Sequence, residues 1–312
     1  MKHAYRIAQF FIAGSAAAIL AACGTPAQTI VPVHAQGPAA ASRGHELLYV
    51  VNRGRSTEVE MLTLPEGKRV GKLPNLGSPI NVCVGVGGNV WLMVYEQSGR
   101  LRLDEFPHGG TTSIATLKVP VRGANGCAVD PASGNLAVFS NKGISGDGEV
   151  LVWKDARGKP AAYETSFEAV AGAYDNKGNL FFDGVSGSDP FSFGELPKDG
   201  TTTHYVRIKH AGVEFGSVIW DGSYLAVEGA FSPSRIYRLK VSNFTARVVQ
   251  TIELKTIPFQ AWFWTDGTTL VSTKQSHDDR RIGLWSYTQG GAPSAVFKGF
   301  HDPAGLTVSG GP

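Results

Sequence analysis

The segment NGCAVDPASGNLAVF, from Asn125 to Phe139, contains two short apolar runs joined by a turn. The first run ends at Val129, just before Asp130, and the pair Gly134-Asn135 precedes the second run. Two extended runs separated by a tight Gly/Asn turn are typical of a β-hairpin. The segment therefore predicts two neighbouring antiparallel strands.

The same pattern recurs along the chain. Related segments are VAGAYDNKGNLFF from Val170, GSVIWDGSYLAV from Gly216, AWFWTDGTTLVS from Ala261 and a degenerate copy, NVCVGVGGNVWLMV, from Asn81. The aspartates that follow the first run recur at intervals of 45, 46 and 45 residues: Asp130, Asp175, Asp221 and Asp266. A strand-rich repeat of roughly 40–50 residues indicates a β-propeller.

Each repeat divides into four strands. The third strands echo one another as EVEMLTLPEG, RLRLDEFPHG, EVLVWKDARG, FSFGELPKDG, RIYRLKVSN and RIGLWSYTQGG. LLYVVN from Leu47 matches a second strand without a first, and PAGLTVSGGP from Pro303 matches a first strand without a second. Joining them removes exposed sheet edges. Residues 45–312 are thus predicted to form an all-β, six-bladed propeller of four-stranded blades, closed by the C-terminal strand in the N-terminal blade.

Residues 1–22 are typical of an export signal. Lys2 and Arg6 precede an apolar run, Ile7–Ala22, that is short for a membrane span. The run ends in LAACG, which resembles the lipobox of bacterial lipoproteins, where the cysteine becomes lipidated. Cys23 is therefore the predicted lipidation site, carrying palmitate or a similar acyl chain. The alternatives are an ordinary signal peptide and an uncleaved anchor.

This resemblance implies a protein held at the cell envelope by its membrane anchor. Gly24, rather than Asp, after the cysteine favours the outer membrane if the organism is Gram-negative. Residues 23–44 are rich in Ala, Pro, Gly and Gln without periodicity, so they are predicted to be a flexible tether.

The composition and the net charge of the chain limit the classes of function that it can have. The chain has 312 residues, 42% of them hydrophobic and 18% charged, which suffices for a large core. The formal charge is +3 and no cluster of Lys and Arg stands out, so the sequence predicts no nucleic-acid surface. We expect a monomer.

The tryptophans and the remaining cysteines fall on predicted strands. The tryptophans are expected to pack between blades, with Trp262 or Trp264 facing the channel because the two alternate on an inner strand. Cys83 and Cys127 occupy matching positions on inner strands of adjacent blades. Export would permit a disulfide, but equivalent side chains are expected to point the same way, which favours two buried thiols.

Strong catalytic signatures are missing from the sequence. It contains no HExxH, G-x-S-x-G, P-loop or CxxC motif. Asp175–Asn179 begins like a calcium loop but lacks the rest of the twelve-residue pattern, which favours a plain turn.

Polar residues fall where strands meet the predicted channel mouth. They are Asn52, Asn81, Glu96, Asn125, Asn141, Glu168, Asp183, Glu214, Glu228, Gln260 and Asp302. Carboxylate and amide oxygens suit Ca²⁺ or sugar-like hydroxyls. The alternative is that these side chains only solvate a water-filled entrance.

The repeat G-x-[AV]-x-D-x-x-G-N-[LV], in six blades, resembles the NHL-repeat and gluconolactonase/regucalcin group. That resemblance implies a divalent metal in the channel, held by a glutamate, two asparagines and an aspartate. The segment Arg122–Asp130 is similar to the asparagine-bearing strand of that group, which makes Asn125 a metal ligand by resemblance. Val170 and Gly216 stand where the second asparagine and the aspartate are expected, so Asn81, Glu168 or Glu214 would have to substitute.

Two functions remain. One is a binding module that presents its mouth to a protein, peptide or glycan. The other is a metal-dependent lactonase-type hydrolase, with Ca²⁺ as candidate cofactor, Asn125 and Glu214 as metal ligands, and Glu214 or Asp183 as base. The missing catalytic signatures favour the binding module, whose predicted ligand-binding residues are Asn81, Asn125, Glu168, Glu214, Glu228, Gln260 and Asp302.

Overall fold

The computed structural model describes residues 46–53, 58–73, 76–141, 147–187, 189–209, 212–229, 234–255, 262–276 and 279–310. The predicted signal segment, Cys23 and the tether lie outside the described residues, as do Gln260 and the side chain of Glu214.

The described residues form twenty-five strands and two short 3₁₀ turns, Val86–Gly88 and Lys154–Ala156. The strands are β1 Leu47–Asn52, β2 Glu58–Thr63, β3 Arg69–Leu73, β4 Ser78–Val84, β5 Val90–Tyr95, β6 Leu101–Phe106, β7 Ala115–Val119, β8 Ala124–Val129, β9 Leu136–Asn141, β10 Gly148–Trp153, β11 Ala161–Thr165, β12 Glu168–Tyr174, β13 Leu180–Ser186, β14 Asp189–Leu196, β15 His204–Tyr205, β16 Arg207–Ile208, β17 Val213–Trp220, β18 Leu225–Gly229, β19 Ser234–Ser242, β20 Thr245–Leu254, β21 Phe263–Thr265, β22 Thr269–Ser276, β23 Asp279–Ser286, β24 Ala295–Phe297 and β25 Pro303–Ser309.

These strands form six sheets, the blades of a β-propeller, in which all pairs but one are antiparallel. Blade 1 is β25-β1-β2-β3, blade 2 is β4–β7, blade 3 is β8–β11, blade 4 is β12–β15, blade 5 is β17–β20 with β16 added, and blade 6 is β21–β24. The prediction of an all-β, six-bladed fold is confirmed. Each of the six echoing segments overlaps the third strand of its blade.

The ring closes where the sequence predicted. Strand β25 pairs with β1 from Leu47↔Ser309 to Asn52↔Pro303, with a register shift near Asn52. The last strand is therefore the innermost strand of the first blade, and the blade completed by β25 packs against blades 2 and 6 on either side.

The repeated aspartates explain the hairpins. The side chain of Asp175 accepts hydrogen bonds from the backbone N–H groups of Lys177 and Asn179, both at 2.9 Å. Asp130 and Asp266 accept equivalent bonds from the residues that follow them. An aspartate that binds backbone two residues ahead stabilises a tight turn. Asp175–Asn179 is thus a turn, as favoured from the sequence.

The hydrophobic core is divided among the blade interfaces. Six clusters of buried side chains each join two adjacent blades, and one of them packs Val51 of blade 1 against Val82 of blade 2. Trp91, Trp153 and Trp285 are buried in such clusters, as the sequence predicted. Each blade is therefore stabilised mainly by its neighbours.

One feature of blade 5 was not predicted. The short strand β16 pairs in parallel with β20, so blade 5 has a fifth strand at its outer edge. The chain reaches it directly from β15, the outer strand of blade 4. In the part of the chain that the structure describes, no helix has the length and apolarity needed to cross a membrane.

Candidate functional site

The six inner strands enclose a cavity of about 250 Å³ along the propeller axis, here called the channel cavity. Its wall is mainly apolar and includes Val129, Ala173 and Ile219. It extends from Asn81 and Ser217 at one end to Gly85 and Pro131, beside the hairpin turns, at the other. A mainly apolar wall with a few polar groups is typical of small-ligand sites.

Three tryptophans contribute to the same wall. Trp220 ends β17, Trp262 lies just before β21 and Trp264 lies within it. All three are half-buried. Both Trp262 and Trp264 therefore line the cavity, whereas the sequence predicted that one of the two would face it. Half-buried indole rings offer flat apolar contact area to a ligand.

A disulfide also lies in the channel wall. Cys83 on β4 and Cys127 on β8 are joined, with their Cα atoms 5.8 Å apart. The preference for two buried thiols was therefore wrong. The inner strands of neighbouring blades lie so close around the axis that matching positions fall within the Cα distance a disulfide spans.

Most mouth residues on the described strands bind the neighbouring blade. The Nδ2 of Asn81 donates to the backbone oxygen of Asn125 at 2.8 Å. The Nδ2 of Asn125 donates in turn to the backbone oxygen of Ala169, at 3.0 Å, in the next blade. These amides link blades 2, 3 and 4 through backbone oxygens of the inner strands.

Glu168 accepts hydrogen bonds from two side-chain amides. Its Oε1 accepts from Asn141 Nδ2 at 2.9 Å and from Asn125 Nδ2 at 3.3 Å. Three of the predicted mouth residues, from two adjacent blades, therefore meet at one point. We call this group the mouth cluster.

Asp183 continues the chain of inter-blade bonds. Its carboxylate, fully buried, accepts from the backbone N–H of Ala171 at 2.9 Å and of Gly216, in blade 5, at 2.8 Å. Burial raises the pKa of Asp183 to about 7, although these two N–H groups favour the charged form. Ser217 acts similarly, because its Oγ accepts from the N–H of Phe263 in blade 6.

Asn52 and Asp302 lie together at the closure of the ring. The Oδ1 of Asn52 accepts from the N–H groups of His301 and Asp302, at 2.8 and 2.9 Å, and its Nδ2 donates to Glu60. The carboxylate of Asp302 lies 3.8 Å from Arg53. These residues join β25 to blade 1 and stand apart from the mouth cluster in their contacts.

Glu228 and Glu96 are the remaining predicted mouth residues at described positions. Glu228 on β18 is fully buried, and Glu96 lies 3.5 Å from Arg102 and accepts from Ser98. Among the described residues, no group of three or more His, Cys, Asp or Glu side chains lies close enough to hold a metal ion.

Two features of the site had no clear signal in the sequence. The apolar channel wall is built from residues that look like ordinary core positions, such as Ala173 and Ile219. The bonding of Asn81 and Asn125 to adjacent blades depends on how closely those blades approach. Only their recurrence at the starts of inner strands marked them.

Comparison with known proteins shows the fold alone. No protein-family model matches the sequence, and no curated protein matches it either. Among solved structures, a chain of a nidogen/laminin complex superposes with a TM-score of 0.62 at 14% identity, over 85% of this chain and 98% of that one.

Two bacterial structures are similar in the same way. A protein of unknown function from Bacteroides caccae has a TM-score of 0.59 at 13% identity, over 85% of this chain and 98% of that one. TolB from Acinetobacter baumannii has a TM-score of 0.54 at 12% identity, over 78% of this chain and 61% of that one. The chain is therefore a six-bladed β-propeller that resembles these proteins in architecture.

Proposed function

We propose that this protein is an exported, lipid-anchored binding module of the cell envelope that takes an apolar side chain of a protein or peptide into its channel cavity. The supporting observation is the cavity itself, with its apolar wall and its three half-buried tryptophans. The mouth residues Asn81 and Asn125 support the same function, because they bond to neighbouring blades and hold the entrance rigid.

The size of the cavity suggests the ligand. About 250 Å³ lies just below the range of sites for drug-sized molecules, and it suits one aromatic or branched aliphatic group. A peptide would insert such a side chain and place its polar backbone at the mouth, near Glu168. The remaining mouth-facing candidates, Glu214, Glu228, Gln260 and Asp302, stay proposals for ligand contact.

The test uses the mature sequence beginning at Gly24, which has neither leader nor acyl chain. Benzyl alcohol is titrated as a minimal apolar probe while tryptophan fluorescence and thermal melting are recorded. Binding should change the fluorescence and raise the melting temperature by mass action. Ala173→Leu, which adds bulk to the cavity wall, should abolish both effects; an unchanged titration would rule out the channel cavity as the site.

The anchor is tested separately. In cells given labelled palmitate, the wild-type chain should incorporate label and sediment with membranes, whereas Cys23→Ser should do neither. Label retained by the Cys23→Ser chain would place lipidation elsewhere and remove the lipobox proposal.

A second candidate function rests on the mouth cluster. Glu168, Asn125 and Asn141 bring one carboxylate and two amides together, and rotating each amide by half a turn would present its oxygen instead of its nitrogen. Such oxygen donors fit Ca²⁺, with Glu214 as a further ligand. Ca²⁺ held there would supply a Lewis acid for a substrate carbonyl, and Asp183, or Glu214 if it is not a ligand, would take the proton of the attacking water in a lactonase-type hydrolysis.

Calcium titration decides between the candidates. A metal site should raise the melting temperature at millimolar calcium, and Glu168→Gln should remove that shift. No shift in the wild-type chain would count against the hydrolase and leave the binding module in place.

A further inference from the structure

The outer part of blade 5 carries four cations on one face. Lys240 on β19 stands opposite Arg247 on β20, and Arg207 on β16 stands beside Thr245 of β20. Lys209 follows β16 and donates its N–H to Ala246, which puts its side chain next to Arg247. Residues paired across strands share a face, so all four lie on the same side. We call Arg207, Lys209, Lys240 and Arg247 the cationic face.

This face is exposed, and no described acidic side chain pairs with it. All four side chains are exposed, and within the described residues none of them forms an ion pair. The opposite side of the same strands is buried against blade 4 through Ala246 and Leu239. Like charges directly opposite each other destabilise a sheet, so the pair Lys240 and Arg247 does not serve the fold.

An exposed aromatic ring lies in the turn where these strands end, on the side of the sheet toward blade 4. Phe244 lies in the turn between β19 and β20 with φ of +52°, and it is 39% exposed. Its backbone oxygen accepts from Arg207, and its ring stacks on His204 at 4.3 Å between centroids. A bulky residue in the left-handed region is rare, because Gly or Asn fits there with less strain.

We propose that the cationic face and Phe244 dock the propeller onto an anionic lipid bilayer. Four cations without an ion-pair partner among the described residues complement anionic headgroups, and an exposed aromatic ring at a turn inserts into the membrane interface. A ring at the end of the sheet favours lipid over a soluble polyanion, because a bilayer entered by this turn would contact both the ring and the cations, whereas a polyanion would contact the cations alone. The inference rests on the proposed envelope location, since a lipid on Cys23 would keep the propeller near a membrane.

The experiment measures sedimentation of the mature sequence from Gly24 with vesicles. Vesicles of phosphatidylcholine alone are compared with vesicles that also contain phosphatidylglycerol. Each Lys or Arg near an anionic surface strengthens binding about five-fold, so Lys240→Gln with Arg247→Gln should weaken it about thirty-fold. The control, Lys118→Gln with Lys159→Gln, removes the same charge from exposed positions on blades 2 and 3 and should change binding less than two-fold.

Phe244 supplies a second variant that separates docking from stability. Phe244→Asn should weaken vesicle binding and keep or raise the melting temperature, because Asn adopts the left-handed conformation with less strain. A purely structural Phe244 would give the reverse result, with a lower melting temperature and unchanged binding.

Three outcomes would overturn the proposal. They are equal binding to neutral and anionic vesicles, equal loss in the control variant, and polyphosphate binding as tight as vesicle binding with no effect of Phe244→Asn. Palmitate incorporation at Cys23 and the benzyl alcohol titration are independent readouts. Failure of docking is therefore distinguishable from failure of the proposed function.

Discussion

At the scale of single residues, a few buried polar side chains join the blades. Asp221 lies in the first hairpin of blade 5, where its Oδ1 binds the N–H groups of Ser223 and Tyr224. Its Oδ2 accepts from Arg238 at 2.6 Å and from the hydroxyl of Tyr287, in blade 6, at 3.0 Å. Burial acts to raise the pKa of Asp221, but the bonds from Arg238, Tyr224 and Ser223 outweigh it and lower the pKa.

Removal of Arg238 should therefore be costly. Arg238→Ala leaves the Asp221 carboxylate, which is fully shielded from solvent, without its cation, and we expect a loss of about 3–5 kcal/mol of unfolding free energy. Urea unfolding measures this loss. Arg157→Ala, which breaks the exposed pair with Asp155, is the control and should change stability by less than about 1 kcal/mol. Equal effects of the two substitutions would contradict the role of Arg238.

Asp183 should make the stability of the fold fall as the pH rises. An ordinary paired aspartate has the opposite effect. The pKa of Asp183, about 7, exceeds that of an aspartate in the unfolded chain, about 4, so the folded state holds a proton that the unfolded chain has lost. Its contribution to stability should thus be present below pH 4 and decline as the pH rises to 7.

Melting temperatures across this range test the prediction. Asp183→Asn cannot ionise and should remove the decline between pH 4 and pH 7. Asp266→Asn, in an exposed turn, should keep the wild-type profile. If the wild-type and Asp183→Asn profiles run parallel, Asp183 does not titrate in this range.

At the scale of elements, the inner strands determine both packing and site. Each inner strand contributes to the channel cavity and to contacts with the next blade, so few of its side chains can be enlarged without a clash. A Cβ added to Gly126 on β8 would lie 2.7 Å from the backbone oxygen of Val170 on β12. The disulfide Cys83–Cys127 ties β4 to β8 at the same level of the ring.

That disulfide should contribute measurably to stability. Cys83→Ala with Cys127→Ala should lower the unfolding free energy by about 2–4 kcal/mol, because the unfolded chain loses a crosslink across 44 residues. Reducing agent should lower the melting temperature of the wild-type chain and leave that of the double variant unchanged. Two titratable thiols in the denatured, unreduced chain that begins at Gly24, and so lacks Cys23, would show that the bond does not form.

At the scale of the whole molecule, stability depends on closing the ring. Strand β25 pairs with β1, and Ser309 at its end bonds to Gly88 and to His108 of blade 2. Blades 1, 2 and 6 thus meet at the last strand. Each blade interface holds one part of the core, so opening one seam exposes two faces at once.

A chain that ends at Asp302 should therefore fail to fold. Without β25, blade 1 loses its inner strand, and we expect loss of the near-ultraviolet circular dichroism and of cooperative melting. Deletion of residues 25–40, which is longer but lies in the proposed tether, is the control and should leave the melting curve unchanged. Cooperative melting of the shortened chain would show that the ring does not need its C-terminal strand.

Sequence alone determined the architecture because the fold repeats. Asp130, Asp175, Asp221 and Asp266 each sit in the same hairpin turn, so local turn chemistry and strand alternation revealed the blades. The unmatched segments at Leu47 and Pro303 revealed the closure, since a lone strand needs a partner. The proposed anchor at Cys23 likewise rests on local sequence.

The tertiary structure decided what the inner strands do. Asn81 and Asn125 could serve a ligand or a neighbouring blade, and only the spacing of the blades settles that their amides reach backbone oxygens. The distance between Cys83 and Cys127 depends on the same spacing. The fifth strand of blade 5 brings Arg207 and Lys209 beside Arg247 from a distant part of the chain. Such contacts depend on the distances and orientations between neighbouring blades, which no local pattern encodes.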